Sequence, residues 1–476
     1  MRNFLVLSIA CLLIILFAAG TTTHAQSPTA QATSLPNLFP LLNSSGFVET
    51  YNLNNTAIDL TGPFFQSLGT NGRSCSSCHR PEGAWSISAT QVQARFLLTQ
   101  GLDPIFRTND GSNCDQGIDT STLQGRRSAY SLLLGRGLIR IAMAVPANAE
   151  FTVVNVQNPY GCNDMSTLSM YRRPLPATNL RFLSTVMSDG RESSPQTGTK
   201  KITYATNPAD LLADLAQQAI DATTGHAQAG TAPTALQVED IVNFEIQLRT
   251  AQAIDFKAGS LLSANGATGG PLPLASQPFF IGINDPFPPT FGFNPSGAPF
   301  NPAIYNLFDA WANAPNPARA SIARGQAVFN TKTINITGVA GINDVLCVAS
   351  FQGTCGTCHD APNVGNHSYP APLNIGAGDL TSPLNLSYLP VFTLRNNTTG
   401  ETAQTTDPGR ALVTGAWSDI GKVKGPILRG LAARAPYFHN GSANSLADVV
   451  TFYDKRFHIG FTEQEKEDLV AFLNSL

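Results

Sequence analysis

Residues 351–360 read FQGTCGTCHD, and within them Cys355-Gly-Thr-Cys358-His359 forms a C-x-x-C-H. Residues 74–80, SCSSCHR, carry a second copy, Cys75-Ser-Ser-Cys78-His79, 280 positions earlier. Two thiols at this spacing can each add across one vinyl group of a haem. The adjoining His then lies under the ring and offers its imidazole to the iron. A zinc knuckle needs four ligands close together, and the nearest further cysteine to Cys75 is Cys114. A redox pair leaves the His after both copies unexplained. The spacing predicts two covalently bound haem c groups, held by Cys75, Cys78, Cys355 and Cys358, with His79 and His359 on the irons.

Working outward, the chain has 476 residues, enough for two or three domains. A formal net charge of −3 offers nothing to a nucleic-acid partner. Charged residues make up 13% of the chain, well under the usual quarter or so, and Gly and Pro are plentiful. This composition predicts loop-rich chain around helical cores.

The start, MRNFLVLSIACLLIILFAAGTTTHAQ, sets Arg2 before an apolar run from Phe4 to Ala19 and ends in Thr23-His24-Ala25. This pattern predicts a signal peptide over 1–25, cleaved before Gln26. The run is short for a membrane span, and no later segment is long and apolar enough to cross a bilayer. The expected place is the periplasm, which agrees with c-type haem attachment outside the bacterial cytoplasm. An oxidising compartment favours pairing among the leftover cysteines. Cys114 and Cys162 share one polar, loop-like region and are expected to pair, leaving Cys347 free.

The expected divisions are a lead-in over 26–61, a first haem domain over 62–258, a Gly/Pro-rich linker over 259–315 and a second haem domain over 316–476. EFTVVNV, 150–156, alternates like a strand. Helical periodicity marks 207–223 and 238–252. SIARGQAVFN predicts a short helix before the second motif. Ser445-Leu-Ala-Asp448 opens one terminal helix, and Thr462-Glu-Gln-Glu465 is a capping box opening the next. In the first of these, Leu446, Val449, Val450 and Tyr453 share a face.

A ligand on the far side of a haem makes an electron-transfer centre, whereas an open side admits peroxide or oxygen. The last Met is Met187, so the second haem segment has none of its own. Its candidates are His367, His439, His458 and Tyr453. By periodicity alone, Tyr453 reads as a core aromatic.

The stretch GAWSDIGKVKGPILRGLAARAPYFHNGSANSLADVVTFYDKRF, followed by FTEQEKEDLVAFLNSL, resembles the C-terminal domain of the bacterial di-haem cytochrome c peroxidase and MauG family. The first-haem segment and VMSDGRE, 186–192, resemble its N-terminal domain. The resemblance covers about half the chain. It implies a mainly α fold, two cytochrome-c-like haem domains with long loop-rich insertions and little β. It further implies that hydrogen peroxide binds at the N-terminal haem on His79. In MauG-like members a Tyr within a V-x-x-F-Y-like stretch replaces the Met on the C-terminal haem, which makes Tyr453 in VVTFYD an iron ligand. A calcium ion between the domains is also implied, bound partly through backbone carbonyls of a T-A-P-Y segment. Here that segment is Arg434-Ala-Pro436-Tyr437, so Arg434 and Pro436 are the candidates.

Two departures stand out. Ser188 replaces the Trp of the family's W-D-G-R. Gln218 is available for the family's distal Gln, but no Glu follows ten residues on. His226, eight residues later, takes that place as the expected acid-base group, with Asp210 as a weaker rival. Arg191 is a candidate for stabilising developing negative charge or for a structural ion pair.

The reading is an exported di-haem peroxidase or MauG-like oxidoreductase. The His359 haem is expected to store or relay an oxidising equivalent, taking electrons from an unidentified electron donor or oxidised substrate. Family peroxidases are often dimers, which the sequence leaves open. Its rivals are a plain electron-transfer cytochrome and a haem-based gas-binding or sensor protein.

Overall fold

Helix Pro317–Thr331 and the terminal helix Glu463–Asn474 cross so closely that a Cβ on Gly325 would lie 1.9 Å from the Asp468 carbonyl oxygen. Only glycine permits that approach. Around this crossing Tyr305, Phe308, Phe329, Val450, Leu469 and Phe472 form one buried cluster. Each side chain of this size contributes about 1.5–3 kcal/mol on burial. In the computed structural model, residues 32–54, 57–193, 207–263, 266–287 and 292–476 are described. The predicted signal peptide lies outside them.

A second cluster gathers Phe64, Trp85, Phe182, Leu211, Leu215, Ile241 and Leu248, together with Ala361, Val364 and Ile427 from the C-terminal half. Two helices, Pro208–Gly225 and Ala235–Gln247, supply much of it. Asn207 caps the first by accepting N–H bonds from Ala209 and Asp210. Thr234 and Gln237 form a capping box on the second.

The terminal helices form as their caps predict. Ser445 caps Leu446–Phe457 with Asp448 returning the bond, and Thr462 and Glu465 do the same for Glu463–Asn474. Strand Phe151–Gln157 is also where alternation predicts it. Cys114 is bonded to Cys162, and Cys347 is an exposed thiol.

Three expectations need correction. The fold is 30% helical and 17% strand, with five small antiparallel sheets among the described residues, so "mainly α with little β" understates the strands. The helix expected over 238–252 stops at Gln247, and Leu248–Asp255 continues as a strand paired with Gly46–Asn52. Sheet pairing there overrides the weak helical pattern, and it draws part of the lead-in into the sheet, since Val48, Thr50 and Asn52 are buried. The composition of 259–315 reads as a linker, yet Leu261, Ile304, Tyr305, Leu307, Phe308 and Trp311 are core residues. Scattered apolar residues between turns leave no periodicity to read.

Candidate functional site

Both C-x-x-C-H segments are built to one pattern. Cys75–Ser77 and Cys355–Thr357 are single 3₁₀ turns, each opened by a hydroxyl capping box, Ser74 with Ser77 and Thr354 with Thr357. In each, the His amide donates to the carbonyl of the first Cys, at 3.0 Å for His79 and 3.1 Å for His359. Six residues on, a backbone carbonyl accepts from the ring. His79 Nδ1 lies 3.0 Å from the Trp85 oxygen, and His359 Nδ1 lies 2.6 Å from the Gly365 oxygen. A phenyl ring tilts over each imidazole, Phe64 at 6.3 Å and Phe329 at 6.1 Å.

A carbonyl on Nδ1 fixes the tautomer and leaves Nε2 for a metal. Burial pushes His79 down to about 4 and His359 down as well, so both imidazoles are held neutral, the form that binds iron.

The carbonyl-bearing residues are themselves anchored. Trp85 is fully buried at a left-handed φ of 58°, and its indole N–H donates to Thr50 Oγ1 at 2.9 Å. Thr50, Thr250 and Thr178 continue as a buried hydroxyl chain, with contacts of 2.9 and 2.8 Å. The strand pair that helical periodicity missed thus holds His79 in place. Gly365 has φ 81°, and a Cβ there would meet the Tyr305 hydroxyl at 2.1 Å. Glycine is required on both counts.

Around His79 a cavity opens, with about 1580 Å³ of empty space once the solvent at its mouth is included. Cys75, Cys78 and His79 line it together with Leu68, Leu180, Leu183, Leu215 and Ile241. The sequence-predicted residues Arg191, Gln218 and His226 meet there, the last two from one helix and Arg191 from a separate segment. His226 ends the helix Pro208–Gly225, and its Nδ1 lies 2.5 Å from Asp110 Oδ2. Asp110 is itself paired with the buried Arg73. Arg191 pairs with Asp189 at 3.0 Å while bordering the cavity. Asp210 stays at the start of its helix, accepting from Asn207, and does not line the cavity.

Sequence reasoning missed two charged residues in this cavity. Glu245 is buried with Oε2 unpartnered, and burial pushes its carboxyl up to about 8. The signal was present, because Val238, Ile241, Val242 and Glu245 follow the i, i+3, i+4, i+7 stripe of a buried helix face. Burial pulls Lys424 down to about 7 while its ammonium donates to the Thr185 carbonyl at 2.8 Å.

A haem carries two carboxylates as well as its apolar faces. The lining offers Arg173, buried, and Arg434, half-buried, whose guanidinium groups the described residues bond only through carbonyls. Burial first and Arg434 second pull Arg173 down to about 9, as befits a guanidinium lacking its anion. Thiols, neutral imidazole, apolar walls and uncompensated cations together fit the group.

The calcium expectation does not fit. The Arg434 carbonyl accepts from Arg173 Nη2 at 2.9 Å, with the Arg434 guanidinium close by. A calcium ion wants six to eight oxygens, and here one of its expected ligands already serves a fixed cation. Pro436 follows Arg434 in the same segment.

At the second motif, Cys355, Cys358 and Tyr453 pack against one apolar cluster of Phe287, Ile334, Ile336, Ile342, Leu373 and Phe457. Tyr453 stacks on Phe457 at 6.3 Å. Of the rival His residues, His439 is 3.8 Å from Asp407 and His458 is an exposed helix cap, whereas His367 lies beside this motif, 6.0 Å from the Phe287 ring and facing Asp360.

No protein-family model matches the chain. It is 32% identical over 190 residues to cytochrome-c peroxidase IdrP1 of Pseudomonas sp. (strain SCT), which covers 36% of this chain and 43% of that protein. It is 44% identical over 69 residues to cytochrome-c peroxidase IdrP1 of Denitromonas iodatirespirans, covering 12% of this chain and 18% of that one. The chain thus spans less than half the length of these curated relatives. A solved MauG-like protein associated with microbial copper homeostasis aligns over 96% of this chain and 95% of its own, at 13% identity and a TM-score of 0.34, too distant to carry an argument. Two C-x-x-C-H turns of one design, together with the 190-residue match, carry the similarity of this chain to the bacterial di-haem cytochrome c peroxidases.

Proposed function

We propose that the chain is an exported di-haem c-type oxidoreductase that uses hydrogen peroxide at the His79 cavity and relays electrons through the His359 segment. The observation that carries this reading is the contrast between two equivalent motifs. One opens into a cavity where acid-base groups converge, and the other packs against apolar residues and Tyr453.

On this reading Cys75 and Cys78 hold one haem and Cys355 and Cys358 the other, with His79, His359 and Tyr453 as iron ligands. Bound haem supplies the iron at which peroxide is activated and the redox couple that moves electrons. The protein's part is to handle protons. Splitting the O–O bond needs a proton moved from the inner to the outer oxygen. Asp110 holds His226 by Nδ1, leaving Nε2 to take that proton and return it, and Arg73 fixes Asp110. The Gln218 amide can orient the peroxide, and protonated Glu245 can donate. Arg191, already balanced by Asp189, adds positive potential at the cavity edge.

Ferric absorption and EPR spectra with and without peroxide test the reading. It expects one five-coordinate high-spin haem that responds to peroxide and one low-spin haem. Two low-spin haems inert to peroxide would establish the plain electron-transfer cytochrome instead.

A further inference from the structure

Asp285, Asp360 and His367 are buried together, 3%, 0% and 3% exposed, with their candidate ligand atoms all within 4.8 Å of one another. They come from two loops that the sheets and helices do not explain. The loops are tied by the Gly282 amide donating to the Ser368 carbonyl at 2.9 Å.

Each carboxylate is oriented from behind. Asp285 accepts the amides of Phe287 at 3.2 Å and Phe293 at 2.6 Å. Asp360 Oδ1 accepts the Ser368 amide at 2.5 Å, while its Oδ2 has no hydrogen-bond partner. Neither ring nitrogen of His367 makes a hydrogen bond of ordinary geometry, although the Cys358 carbonyl faces the ring.

Charge makes the arrangement costly as it stands. Two buried carboxylates face each other, and neither 281–300 nor 360–373 contains a Lys or Arg. Buried charge is retained when it is paired or when it coordinates a metal. The spacing favours the second. Nδ1 of His367 is 3.4 Å from Asp360 Oδ2, long for a hydrogen bond. A tetrahedral ion with arms of about 2.1 Å sets its ligand atoms about 3.4 Å apart.

We propose that Asp285, Asp360 and His367 form a third metal site, beside the second C-x-x-C-H turn but using none of its cysteines or His359, for a divalent first-row ion such as zinc. Two carboxylate oxygens and one imidazole nitrogen are a donor set of that borderline class, whereas calcium would want oxygens alone. Because Asp360 directly follows His359, the ion would clamp the loop that carries that imidazole to the loop that carries Asp285.

The test uses the intact holoprotein carrying Cys347→Ser, which removes the exposed thiol as a competing zinc ligand. After dialysis against a chelator, zinc is added and excess removed, and zinc and iron per chain are measured by elemental analysis. The proposal expects one zinc per chain, and Asp360→Asn or His367→Gln should lower its affinity at least tenfold. Asp285→Asn, whose amide oxygen can keep a backbone bond, serves where either of those fails to fold. Uptake below about a tenth of an equivalent in folded protein overturns the proposal, as does uptake unchanged in the folded variants. Iron is read separately, so failure of the haem assignment cannot be mistaken for failure of this site.

Discussion

The two C-x-x-C-H turns share a capping box, a bond from the His amide to the first Cys, a ring bond six residues on and a phenyl over the imidazole. What surrounds them differs. The first faces a cavity holding Gln218, His226 and Glu245, with His226 buttressed by Asp110 and Arg73. The second lies among Phe287, Ile334, Ile336, Phe457 and Tyr453. Local sequence thus repeats one turn, and the neighbours brought by other segments separate a cavity lined by acid-base groups from an apolar setting.

The harshest way to break the comparison is to remove one attachment. Cys75→Ala with Cys78→Ala should leave one covalent haem per chain by pyridine haemochrome assay, and Cys355→Ala with Cys358→Ala should leave the other. Two haems persisting in either variant would refute the motif reading.

His226→Ala should slow the reaction with peroxide by about 10²- to 10⁴-fold, the usual worth of general acid-base help. Both haems and the second haem's spectrum should be kept. Asp110→Asn should move rate in the same direction by less and shift its pH profile. A loss under about threefold in His226→Ala would remove it from the chemistry.

Gly365→Ala attacks the support of His359 alone. A positive φ and a 2.1 Å approach to Tyr305 together cost about 2–4 kcal/mol. Thermal unfolding should fall accordingly, and the perturbation should appear in the second haem's spectrum before the first's.

Glu245 predicts a pH effect confined to the first region. Its folded pKa, about 8, lies above the ordinary carboxyl value of 4.5, so the fold favours the neutral acid. That stability is full below about 4.5 and is lost as pH rises through 8. Glu245→Gln should match wild type near pH 4.5 and melt about 1–3 °C higher at pH 8.5. A variant that melts lower at pH 8.5 would show the carboxylate to be compensated.

The mildest change is Tyr453→Phe. Keeping shape, it should cost no more than about 1.5 kcal/mol of stability. It should still alter the low-spin spectrum of the second haem. An unchanged spectrum would make Tyr453 a core aromatic and nothing more.

Part of this was legible without coordinates. The C-x-x-C-H spacing is local chemistry, readable wherever it lies. The caps Ser445, Thr462 and Asn207 bond within three residues of themselves, so their helices announce where they begin. The Cys114–Cys162 pair is legible because the two cysteines share one polar, loop-like region of the sequence.

The rest depends on partners far along the chain. Leu248–Asp255 is a strand because Gly46–Asn52, some 200 residues away, pairs with it, and no periodicity of its own states this. His226 meets Asp110, the Arg434 carbonyl meets the Arg173 guanidinium, and Asp285 meets Asp360 and His367 only because folding brings distant segments together. Covalent and capping chemistry acts over a few residues and is written in order along the chain. Charge, burial and proton affinity are set by whatever folding brings within a few ångströms, so only the tertiary structure decides them.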